Sequence, residues 1–108
     1  LIAWIKAQDQ RTEFTLSVCT GTRVLAAAGL LDGLQATTHF GSLDELAATY
    51  PTTTVLRGVR YVDNGRIVTS AGVSAGIDMS FHIVQRLLGE DVARATAHHI
   101  EYDYWQPG

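Results

Sequence analysis

The stretch "VRYVDNGRIVTS", residues 59–70, constrains the fold more than any other part of the chain. Two β-rich arms flank Asn64-Gly65, the pair preferred for a type I′ turn, so a tight antiparallel hairpin is expected. Its surroundings decide the class. After a Gly-containing loop, Ile77, Phe81, Val84 and Leu88 recur at helical spacing, and Gly89 ends the helix they predict. "EDVARATAHHIEY" predicts a second helix and "DYWQPG" an irregular tail. Upstream, "EFTLSV" reads as a buried strand. Residues 20–31 read as a helix with Val24, Ala27, Ala28 and Leu31 on one face, ended by Asp32-Gly33. "QATTHF" suits a short strand. "GSLDELAATYP" predicts a helix opened by a Ser42/Glu45 capping box and stopped at Pro51, and "TVL" a further brief strand. Strands alternating with helices argue for an α/β layered fold.

The 108 residues suffice for one small domain with a real core. Hydrophobic residues at 46% and charged residues at 18% describe a globular chain. A net charge of −3 disfavours direct nucleic-acid binding, which needs clustered Lys and Arg. No apolar stretch is long enough to span a bilayer. One cysteine cannot form an internal disulfide and no paired-cysteine pattern suggests zinc, so a cytoplasmic setting is expected. "LIAWIKAQDQ" opens without Met on a short helical pattern, with Leu1, Ile2, Ile5 and Trp4 as its apolar face. Such a start, with about half the strands of a usual doubly wound domain, leads us to expect a partial domain.

The single cysteine stands where an apolar run meets an Ala-rich one. Ser17-Val18-Cys19-Thr20-Gly21 has the order of a nucleophile elbow, with Ser17 in place of the first glycine. A thiol at a helix start meets the positive end of the helix dipole and unpaired amides, which favour thiolate over thiol. The Thr20 amide is placed to stabilise negative charge on a substrate, and its hydroxyl to orient a water. A buried cysteine filling core space explains the same residue. The pattern alone leaves both readings open.

Three segments, "SVCTGTRVLAAAGLLDG", "ATTHF" and "VDNGRIVTSAGVSAGIDMSFHIVQRLLGEDVA", resemble the ThiJ/PfpI superfamily in order and spacing. The "SAGID" helix start and "HIEYD" ending are most similar to its isonitrile hydratase branch. The resemblance implies a flavodoxin-like three-layer α/β/α sandwich, of which residues 1–108 form the C-terminal portion. It implies that Cys19 is the nucleophile, assisted by Thr20, with Gly21, His39 and Gly72 at the substrate. An acidic partner is implied from the domain's N-terminal half, which no residue of this chain supplies. Thr20 stands where the protease-like branch has histidine. The implied reaction is cofactor-free addition of water to an isonitrile, in a homodimer whose site the N-terminal segment completes. Two rivals share the fold: the ligand-sensing domain of AraC-type regulators, which shares "TSAG" and "AGID", and a glyoxalase- or amidase-type stress enzyme.

Other candidates carry simpler readings. His39 serves equally as a polar wall or a hydrogen-bonded strand-end residue. "SAGVSAG" lacks the endings of a nucleotide loop and reads as a pocket wall. Asp78, expected in the first turn of its helix, suits the helix dipole. Adjacent His98 and His99 point about 100° apart, so with Glu101 and Asp103 they read as a solvated helix end and no metal is expected. Trp105 and Tyr104 suit a pocket cap or a dimer contact.

Overall fold

Strand β5 (Ile67–Ser70) is buried along its whole length, and the other elements are arranged around it. The computed structural model describes residues 1–108. On one side β5 pairs in parallel with β1 (Thr15–Val18), with Thr15 opposite Ile67 and Val18 opposite Ser70. On the other it pairs antiparallel with β4 (Tyr61–Asp63), giving the order β1-β5-β4. A second parallel pair, β2 (Gln35–Ala36) with β3 (Thr54–Val55), stands beside this sheet.

Successive strand residues face opposite ways, so Ile67 and Val68 enter different cores. Ile67 packs with Leu25, Ala26, Leu31, Ala36 and Leu46. These come from α2 (Thr22–Ala27), the chain after it, β2 and α3 (Leu43–Thr49), with Ile5 of α1 (Ile2–Asp9) packed against them. Val68 meets Met79 and Ile83 of α4 (Val73–Leu88). Outside α4 lies α5 (Glu90–His99), joined to it through Phe81, Ala93, Ala97 and Trp105. Helices therefore cover both sheet faces, as a parallel α/β arrangement requires.

Several local expectations are corrected. Asn64 donates its amide to the Ile67 carbonyl at 3.0 Å, so the turn residues are Gly65 and Arg66. Only Gly65 has positive φ, at 97°, whereas type I′ needs it at both central positions. Glycine at the first central position matches type II′. Asn64 instead uses its side chain to hold β2, donating from Nδ2 to the Gln35 carbonyl at 2.7 Å.

The helix after Cys19 buries Thr22, Leu25 and Ala26, while Val24 is half-buried and Ala27 exposed. It stops at Gly29 (φ 76°) rather than at Asp32-Gly33. Gly29 N–H to Ala26 O and Leu30 N–H to Leu25 O form the two bonds of a Schellman cap. β1 is an edge strand, with Leu16 and Val18 exposed and only Ser17 buried. In α1, Trp4 is exposed and the buried residue is Asp9, gripped by Arg66. Only Gln35–Ala36 of "QATTHF" joins a ladder, because the Thr37 amide turns to Thr69 Oγ1 at 3.0 Å.

The capping box does not form. The Ser42 side chain makes no cap bond, and Glu45 reaches Arg23 at 2.7 Å. α4 begins at Val73, which shrinks the glycine loop to Ala71-Gly72 and moves Asp78 into the second turn. Ile77 and Leu88 are exposed. Packed between the sheet and α5, this helix buries two stripes: one through Ala75, Met79 and Ile83, another through Asp78 and Phe81.

Candidate functional site

β1 ends at Val18, and Cys19 then takes φ 57° before a 3₁₀ turn over Cys19–Gly21 leads into α2. A left-handed conformation costs a residue with a Cβ about 1–2 kcal/mol, so surrounding bonds must hold it. They do so from both sides. The Cys19 amide donates to the Ala71 carbonyl at 2.9 Å, and the Thr38 hydroxyl donates to the Cys19 carbonyl at 2.9 Å. Behind them runs a seam of buried hydroxyls. Thr22 Oγ1 donates to the Thr37 carbonyl at 2.9 Å, which leaves Ser17 Oγ as donor in the 2.8 Å contact to Thr22. Ser70 Oγ donates to the Ser17 carbonyl at 2.8 Å. These small hydroxyls satisfy backbone groups where the strands end and the regular ladder stops.

The two groups that clamp Cys19 also deliver their neighbours. His39 follows Thr38, and Gly72 follows Ala71. A Cβ added to Gly72 would lie 3.5 Å from His39 Cδ2, so the two segments are in near contact. The geometry thus gathers Cys19, His39 and Gly72 beyond the C-terminal ends of β1, β2 and β5, where ligands of α/β sheets are found. Between the His39 and Gly72 segments opens a cleft of ≈ 480 Å³, lined by Phe40, Arg60, Val73 and Ser74 among others. Cys19 itself is partly accessible. Gly21 lies in the turn. Thr20 is exposed and lines a separate depression with Ile2, Arg23 and Tyr50.

His39 is oriented locally. Its Nδ1 accepts the Gly41 amide at 3.1 Å, and its ring lies 4.5 Å from that of Phe40. Arg60 is held by Asp78 through Nε and by Ser74 Oγ through a terminal nitrogen at 3.2 Å. Tyr102 donates its hydroxyl to the other Asp78 oxygen at 2.8 Å. Asp78 therefore ties the cleft wall to the chain after α5, and its hydrogen bond raises the Arg60 guanidinium pKa further. Burial, then the Asp78 hydrogen bond and charge, push the Tyr102 phenol up.

Thr38, Ala71, Phe40 and Arg60 carried no motif signal, because their roles come from carbonyls and rings contributed by distant segments. His98, His99, Glu101 and Asp103 surround an open depression that no hydrophobic residue lines. No group of three or more His, Cys, Asp or Glu side chains is arranged to hold a metal ion. No helix is long and apolar enough to cross a membrane.

A strained cysteine at a turn between strand and helix, clamped by the two segments that flank the cleft, describes an α/β domain. The model of the DJ-1/PfpI family matches residues 1–86, and the chain belongs to that family. Isonitrile hydratase of Pseudomonas putida is 39% identical over 100 residues, taking in 92% of this chain and 42% of that protein. The HTH-type transcriptional regulator CdhR of Pseudomonas aeruginosa is 36% identical over 93 residues, 86% of this chain and 27% of its own length. A solved ThiJ/PfpI family protein from Pseudomonas syringae superposes with TM-score 0.84 at 33% identity, covering 99% of this chain and 43% of that one. The chain spans less than half the length of each of these relatives.

Proposed function

We propose that Cys19 is the nucleophile of a hydratase that adds water to an isonitrile, R–N≡C, and yields the formamide R–NH–CHO. The observation that carries this reading is the left-handed Cys19, held against its conformational preference at the strand-to-helix turn. The 39% identity to isonitrile hydratase supports the choice of substrate.

In this mechanism the Cys19 sulfur adds to the terminal isonitrile carbon and the thiol proton ends on that carbon, giving the thioimidate S–CH=N–R. Water then adds to the same carbon. Collapse breaks the C–S bond, nitrogen gains a proton, and the thiol is restored as R–NH–CHO departs. Both proton transfers need an acid/base group. The proposal assigns it to a carboxylate in the part of the relatives that this chain does not span. A homodimer is the assembly proposed with it.

Cys19→Ala in the whole protein is expected to cut N-cyclohexylformamide formation from cyclohexyl isocyanide about 10³-fold or more, with an unchanged circular dichroism spectrum. Activity retained by the folded variant overturns the covalent route. The likeness to CdhR supports a second reading, a ligand-sensing domain. That reading predicts ligand binding without turnover, undiminished in Cys19→Ala.

A further inference from the structure

We propose that Thr38 is a positioning residue for the nucleophile: its hydroxyl, by holding the Cys19 carbonyl, keeps Cys19 left-handed and so sets the direction in which the thiol leaves the turn. The inference rests on the hydratase reading for what the thiol attacks, and deepens it by naming what aims the thiol.

Backbone geometry carries the argument. The φ and ψ of Cys19 are rotations between the two planar peptide units that meet at its Cα. Each unit is tied to a different segment. The unit before Cys19 donates its N–H to the Ala71 carbonyl at 2.9 Å, and the unit after it accepts the Thr38 hydroxyl at 2.9 Å. With both planes held, Cys19 stays at φ 57° although a residue with a Cβ prefers to leave that region. Its Cα–Cβ bond then has one direction relative to β1 and β5. The Cys19 carbonyl also accepts the Thr22 amide. That bond lies inside the turn and moves with it, whereas Thr38 ties the turn to a distant part of the chain.

Thr38 can act as a reference because its own position is overdetermined. It is buried, and Thr37 before it is bonded at three atoms. The Thr37 amide donates to Thr69 Oγ1 at 3.0 Å, its carbonyl accepts Thr22 Oγ1 at 2.9 Å, and its hydroxyl donates to the Leu56 carbonyl at 3.1 Å. Those partners belong to β5, to α2 and to the residue after β3. Removing the Thr38 hydroxyl leaves the Cys19 carbonyl still paired with the Thr22 amide, so no buried acceptor is orphaned. The loss falls on aim rather than on folding.

Two measurements on the whole protein test it. Thr38→Val keeps the shape and removes the donor. It is expected to lower kcat for cyclohexyl isocyanide about 10²-fold with KM within about twofold, as a misaimed reacting group does. Thr38→Ala is expected to behave like Thr38→Val, and Thr38→Ser to recover kcat to within about threefold of the parent. Crystal structures are expected to show Cys19 at positive φ in Thr38→Ser and outside the left-handed region in Thr38→Val. A Thr38→Val protein that keeps its kcat, or keeps Cys19 left-handed, overturns the proposal. So does a Thr38→Ser protein as slow as Thr38→Val, which would assign the effect to the methyl group. If the parent hydrates no isonitrile but the Cys19 φ still follows the hydroxyl, the positioning role stands and the hydratase reading falls.

Discussion

Cys19 carries a cost that its neighbours offset. Its φ of 57° is one of two positive values among non-glycine residues, the other being Glu101 near the end of the chain. An L residue with a Cβ is strained there, and glycine is not. Cys19→Gly is therefore expected to be more stable than Cys19→Ala by about 1 kcal/mol in urea unfolding. Equal stability of the two would show that the turn relaxes around the side chain. Thr38 acts on the same atom group from outside, so its hydroxyl is a positioning element for the cysteine carbonyl. Nothing in the spacing of "ATTHF" announces that role.

At the scale of elements, the approach of α4 to β1 is set by one missing methyl. A Cβ on Gly76 would fall 2.7 Å from Val18 Cγ1, and Val18 is the residue directly before Cys19. Valine is stiff at χ1, so the conflict passes to the backbone of the elbow. Gly76→Ala is expected to cost about 1–3 kcal/mol and, on the proposed hydratase reading, to lower turnover. The double variant with Val18→Ala is expected to recover most of both, as a double-mutant cycle would read. Additive losses would mean that the two side chains do not meet. The hairpin teaches a related lesson. Its existence was legible from two β-rich arms around a turn signal, but its centre moved by one residue because Asn64 is used to bind β2.

For the whole molecule, Asp9 links α1 to the far end of the hairpin. Arg66 donates to both carboxylate oxygens at 2.9 and 2.8 Å and to the Asp9 carbonyl at 2.9 Å, and Thr15 adds its hydroxyl. The Arg66 hydrogen bond outweighs burial and holds the Asp9 carboxyl below its ordinary range. A lowered native pKa gives stability that is present above the unfolded value, near about 4, and lost as pH falls through the native one. Asp9→Asn is thus expected to be destabilised at pH 7, with the gap to the parent closing below about pH 4 in denaturant unfolding. A gap independent of pH would assign the loss to packing. The sequence by itself determined the class of fold, the strand-to-helix turn at Cys19 and the alternation of elements, because hydrophobic period and turn chemistry act over a few residues. Burial was less legible, since a strand's neighbours belong to distant segments: Leu16 and Val18 read as core and lie on an open edge. Only the tertiary structure decided that Thr38 and Ala71 clamp Cys19 and so bring His39 and Gly72 together. It also put Phe40 and Val73 on one cleft. Those contacts join residues 19, 38 and 71, and no local pattern encodes a hydrogen bond across such separations.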